Sequence, residues 1–153
     1  MKKHHIPKSI EVEHAAIHSL LVEATKAPGR VGEAARALAD VLHPHFVREE
    51  EIALPPLGLL APLAAGETLE QADLSAVLAM TDALKRELPQ MLEEHKRIRA
   101  AVDALRAAAK AEHAAKYEGL ADQLALHAQN EEEVLYPAAI LVGDLIRARS
   151  LAK

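Results

Sequence analysis

Cysteine and tryptophan are absent from this chain, and aromatic residues make up only 2% of it. Without cysteine there is no disulfide, no thiolate metal site, no cysteine-held iron-sulfur cluster and no cysteine nucleophile, so any metal has to be held by nitrogen and oxygen. Long hydrophobic runs are missing too: the longest apolar stretches, such as 53–65, carry Pro and Gly and are too short to span a bilayer as a helix. The charged start, Met1-Lys-Lys-His-His-Ile-Pro, is followed by a stretch broken by Glu11, Glu13, His14 and His18, so no secretory signal is read. A basic footprint is lacking as well. Lys and Arg number 18 against 23 Asp and Glu, a net charge of -5, which argues against nucleic acid or an anionic membrane surface as the main partner. These absences lead to the expectation of a soluble, cytoplasmic protein.

What is present is helical. Ala and Leu dominate, β-branched residues are sparse, and apolar positions recur at alternating steps of three and four. Four stripes can be traced: Ile10, His14, Ile17, Leu21; Leu38, Leu42, His45, Glu49, Ile52; Met91, His95, Ile98, Val102, Leu105; and Leu120, Leu124, His127, Glu131, Val134. The expected fold is all-α, an antiparallel up-down-up-down four-helix bundle. One domain covering 1–153 is expected, with a flexible start over 1–8. Pro28-Gly29 ends the first helix, and Pro55-Pro56, Gly58, Pro62 and Gly66 predict a loop over 55–73. Extra helical segments are expected near 74–88 and 138–149. The first either continues into the third helix with a kink at Pro89 or stands alone; the second continues the fourth helix beyond a bend at Pro137. The turn between the third and fourth helices is placed within 109–114, although no Gly or Pro marks it.

The chain repeats internally. Glu13-His14-x-x-Ile17 falls on Glu94-His95-x-x-Ile98 at an offset of 81 (95 minus 14), and His45-x-x-x-Glu49 falls on His127-x-x-x-Glu131 at an offset of 82 (127 minus 45). The midpoint of 14 and 45 is the Pro28-Gly29-Arg30 turn, and the midpoint of 95 and 127 is 111. At 1.5 Å per residue each His then lies about 22 Å or more from its turn, so all four share one layer. His and Glu four apart lie on one helix face. With helix axes roughly 8–10 Å apart, His14, His45, Glu49, His95, His127 and Glu131 can converge on the bundle axis. Four nitrogens and two carboxylates suit two metal ions bridged by the carboxylates, with positions left for a small exogenous ligand. Without metal, these groups would sit in an aliphatic layer at several kcal/mol per unpaired charge. This donor set suits iron, manganese or zinc.

The order His, His-x-x-x-Glu, His, His-x-x-x-Glu resembles the hemerythrin-like, HHE cation-binding family over about 10–136. That resemblance implies two iron ions in an oxo- or hydroxo-bridged centre, with His14, His45, His95 and His127 as terminal ligands and Glu49 and Glu131 as bridges. It implies binding of a small diatomic or anionic ligand such as oxygen or nitric oxide, a role in sensing, storage or detoxification, or an enzyme reducing peroxide or nitric oxide. Oxygen-carrying hemerythrins have a fifth His where Arg99 stands and an Asp where Glu131 stands. The four-His, two-Glu repair proteins carry a Cys-bearing N-terminal region that this chain lacks. A structural helical bundle without a functional metal is the remaining alternative.

Other residues are assigned lesser parts. His18, one turn after His14, is a candidate fifth ligand or a partner behind the ligands. His43 and His113 lack a partner at metal spacing, and His4 and His5 are read as exposed. Tyr117 and Tyr136 fall off the His127 face and are expected to pack or lie at the rim. Glu50, Glu51, Glu132 and Glu133 are expected to be solvated or paired with Arg48 and other cations. The Leu57–Leu63 stretch is expected to cap the site, fill core, or form a homodimer contact.

Overall fold

The computed structural model describes residues 6–152. Its elements are α1 (Lys8–Thr25), α2 (Gly29–Ile52), a 3-10 turn (Pro55–Leu59), α3 (Leu60–Ala64), α4 (Gln71–Ala111), α5 (Ala115–Asn130), a π turn (Glu131–Leu135) and α6 (Tyr136–Leu151). Most of the expected flexible segment 1–8, including His4 and His5, lies outside the described residues, and α1 already begins at Lys8. Helix α2 packs on α1 and α4, and α5 packs on α4 and α1, which closes a ring of four helices. No described helix is long and apolar enough to cross a membrane.

The two tight turns lie at one end of the bundle. Gly29, at φ +70°, leads α2 out of the first turn. The Glu112 carboxylate from the second turn accepts hydrogen bonds from the Arg30 backbone N–H at 2.6 Å and from Val31 N–H at 3.4 Å. A side chain distant in sequence therefore does the work of an N-cap for α2, satisfying donors that no residue of that helix can satisfy.

Helix α4 settles the choice left open at Pro89. It is one helix of 41 residues, about 60 Å long at 1.5 Å per residue, with Pro89 inside it. It has no Gly or Pro at its end, yet it stops in an ordered way. His113 takes φ 55°, and the Ala114 and His113 N–H groups reach back to the Ala109 and Lys110 carbonyls at 2.8 and 3.3 Å. This is the Schellman pattern, with His where Gly is usual.

The expected loop over 55–73 is a correction. A 3-10 turn and α3 occupy all of 55–64, and α4 starts at Gln71. Leu57, Leu59 and Leu63 are buried, so this stretch serves as core. The two prolines that read as breakers open the 3-10 turn, where their missing N–H groups cost no helical bond. Beyond the bundle, α6 lies on the first half of α4. A Cβ at Gly143 would strike the Thr81 side chain, so glycine here permits the close approach.

Two apolar clusters bracket one polar layer. On the turn side, Ile17, Leu42, Ile98 and Leu124 belong to one cluster; on the other, Ile10, Ile52, Leu54, Leu57, Met91 and Tyr136 belong to a second. The residues skipped between them are 14, 45, 49, 95, 127 and 131.

Candidate metal centre

Helices α1, α2, α4 and α5 each bring their His to this layer, α2 adds Glu49, and Glu131 opens the π turn that follows α5. All six side chains are buried, Glu49 completely. One ligand atom from each of His14, Glu49, His127 and Glu131 lies within 4.8 Å of the others, and the same holds for His45, Glu49, His95 and Glu131. Each group could hold one cation, and both carboxylates are common to the two.

Glu131 divides its oxygens between the groups. Its Oε1 lies 2.7 Å from His127 Nε2 and 3.7 Å from His14 Nε2, while its Oε2 lies 3.2 Å from His95 Nε2. Glu49 Oε1 lies 3.2 Å from His45 Nε2. The ring nitrogens pair off as His14 with His127, Nε2 to Nε2 at 3.0 Å, and His45 with His95 at 2.9 Å.

What lies behind the rings decides what these contacts mean. The Nδ1 atoms of His127, His45 and His95 bond Glu13 at 2.6 Å, Glu94 at 2.7 Å and Glu132 at 2.8 Å. An ionised carboxylate only accepts, so each Nδ1 donates to it and Nε2 faces into the site, as a lone pair in the neutral ring and as a second N–H in the charged one. Two lone pairs at about 3 Å would repel, so each contact needs a proton on one ring or a cation between the two. Glu49 Oε2, Glu131 Oε1 and His14 Nδ1 are also buried without a hydrogen-bond partner; the 2.7 Å approach of His127 to Glu131 lacks hydrogen-bond geometry. Inward nitrogens and unpaired buried carboxylate oxygens fit divalent cations, and the mixed imidazole and carboxylate set fits iron, manganese or zinc.

The electrostatics agree. Burial alone would lower the His45 and His127 imidazoles, yet Glu49 and Glu94 raise the first to about 9, and Glu131 and Glu13 raise the second to about 9. Burial, and then the nearby Glu131 charge, push the Glu49 carboxyl up. Burial would raise Glu131 too, but His127, His14 and His95 hold it well below the usual carboxylate range. The site draws in positive charge.

One expectation is corrected here, the placing of Tyr136 off the His127 face. Tyr136 packs in the apolar cluster, one of the two readings given for it, but its hydroxyl reaches the ligands themselves. It is 1% exposed, its hydroxyl donates to Glu49 Oε1, and it lies 3.3 Å from His45 Nε2 and 3.2 Å from His95 Nε2. Nine residues beyond His127 at about 100° each would put it half a turn away, but the π turn absorbs one residue and swings it about 100° back. Glu132 pairs with a cation as expected, Arg99 at 2.8 Å, and in addition accepts from His95 Nδ1, a contact the sequence did not suggest. Tyr117, donating to Glu23 at 3.2 Å, packs part-buried against the turn-side cluster, one of the two readings given for it, and Glu51 pairs with Arg48 at 2.7 Å.

The carboxylates Glu13 and Glu94 had no role assigned from sequence, although their signal was the repeated Glu before each His. His18 is outside both groups of converging atoms. It is exposed on α1, facing His43 of α2 with ring centroids 6.5 Å apart. Leu54 and Leu57 pack with Tyr136 below the layer. Among known proteins, no curated protein and no solved structure matches the chain significantly. The model of the hemerythrin HHE cation binding domain matches residues 5–139, a span that holds the whole polar layer. On that match, covering most of its length, the chain belongs to the hemerythrin HHE cation-binding domain family.

Proposed function

We propose that this chain is a non-haem di-iron protein that binds a small molecule such as oxygen or nitric oxide at an exchangeable position, for sensing, storage or detoxification. The observation that supports it best is the Glu131 carboxylate, which directs one oxygen toward each histidine pair. In this reading His14, His45, His95 and His127 are terminal ligands, and Glu49 and Glu131 are shared by both ions. Iron, when bound, would supply Lewis-acidic, redox-active positions open to a diatomic molecule or small anion. The same donors accept zinc or manganese, and family membership favours iron. The proposal takes 1–153 as one cytoplasmic domain.

The protein's own groups set the surroundings. Glu13, Glu94 and Glu132 fix three imidazoles in the tautomer that presents Nε2. Apolar clusters border the layer above and below. Tyr136 holds a proton at Oη against Glu49.

The test is an absorption spectrum of iron-loaded protein with and without azide, oxygen and nitric oxide. Ligand-dependent charge-transfer bands are expected; a spectrum unchanged by all three contradicts exogenous ligand binding. A second reading, an enzyme reducing peroxide or nitric oxide, is favoured by the Tyr136 hydroxyl, buried beside the site. It requires turnover with an electron donor that Tyr136→Phe slows.

A further inference from the structure

The two halves repeat the carboxylates behind the ligands as well as the ligands. Glu13 precedes His14 and bonds His127 Nδ1; Glu94 precedes His95 and bonds His45 Nδ1. Glu132 follows Glu131 and bonds His95 Nδ1 at 2.8 Å. By the same relation Glu50, which follows Glu49, belongs to His14. There the bond is not made. Glu50 Oε1 lies 3.7 Å from His14 Nδ1, and that buried nitrogen has no hydrogen-bond partner.

The difference traces to one position. One turn after His95, Arg99 grips Glu132 at 2.8 Å. One turn after His14 stands His18, a shorter side chain. It lines, with Glu50, His14, Glu11 and His43, a cavity of about 430 Å³ between α1 and α2. Phe46 stacks on the His14 ring at 4.2 Å and holds its plane, but among the described residues no charged group fixes Glu50 against Nδ1.

We propose that Glu50 is the positioning carboxylate of His14, left unclamped because His18 stands where the other half has an arginine, and that the ion shared by His14 and His127 is therefore the exchangeable one of the pair. This inference rests on the two-metal reading above and adds which ion is loose and why. A carboxylate bound to the far nitrogen of a ligating imidazole fixes its tautomer and direction, and losing it typically costs 10- to 100-fold in metal affinity.

The experiment titrates cobalt(II) chloride into the metal-free full chain, following d–d absorption and heat, for the wild type, His18→Arg, His18→Arg with Glu50→Ala, and Glu132→Ala. Positions 18 and 50 are exposed, so the fold is expected to survive these changes, and far-UV circular dichroism checks it. The wild type is expected to bind two ions, the second about 10- to 100-fold more weakly. His18→Arg should tighten the weak step by a similar factor although it adds a positive charge, and the gain should vanish when Glu50 is removed. Glu132→Ala should weaken the tight step. Two steps of equal affinity, a His18→Arg variant that does not tighten the weak step, or a gain that persists without Glu50 would each overturn the inference while leaving the two-metal reading standing. Binding of fewer than two ions by the wild type would overturn both.

Discussion

Glu49 and Glu131 are buried in the same layer, yet burial and the neighbouring charge push one up while three imidazoles hold the other down. Such a pair costs stability unless cations neutralise it. Glu49→Ala is therefore expected to leave the metal-free protein as stable as the wild type or more so. With metal at 100 times its dissociation constant, the wild type should gain about 2.7 kcal/mol and the variant clearly less. Calorimetric melting with and without chelator checks this; equal metal-induced gains would contradict it. Tyr136→Phe removes the hydroxyl that donates to Glu49 and keeps the ring in its apolar cluster. It should fold normally and retain metal roughly 10-fold less tightly, read by competition with a chromogenic chelator. Four of the six inward residues were legible because His-x-x-x-Glu fixes a helix face whatever surrounds it, and His14 and His95 because the Glu-His-x-x-Ile repeat sets them in register. Tyr136 was not, since its direction depends on a π turn that no local pattern announces. Glu13, Glu94 and Glu132 sit one residue off the inward face, and only the packing of helices says which imidazole each one meets.

At the scale of the element, the end of α4 shows both the reach and the limit of breaker residues. The turn was placed within 109–114 mainly because one unbroken helix over 90–136 would be improbably long, with the His midpoint agreeing, and the backbone reverses at 112–114 with His113 in the left-handed region. That conformation costs a non-glycine residue about 1–2 kcal/mol. Glycine gives back part of this through its greater freedom when unfolded, roughly 0.5–1 kcal/mol. His113→Gly is thus expected to raise stability by up to about 1 kcal/mol in urea titration; a loss of stability would show that the His113 side chain contributes more than its backbone costs. The segment 55–64 was misread for the opposite reason. Its prolines mark a helix end correctly, but they also suit the first positions of a new 3-10 turn. The buried Leu57, Leu59 and Leu63 decide between those readings only once α4 and α6 are in place.

Across the whole molecule, the long helices place a polar layer between two apolar clusters, and every donor in it arrives from a different turn of a different element or from a His-x-x-x-Glu pair. A bundle that needed only stability would fill those positions with aliphatic residues. The ring of four helices was readable from periodicity and from the doubled motif. The extension was only partly so, because α6 packs along α4 through Gly143 and Thr81, a contact between elements far apart in the chain. What the account claims above all is that this layer holds a pair of cations. The most direct measurement is the iron content of protein expressed and purified anaerobically with ample iron, set beside that of a Glu131→Ala variant. The account expects about two iron ions per chain in the wild type and a large loss in the variant; fewer than about one per chain in the wild type, or equal content in both, would contradict it.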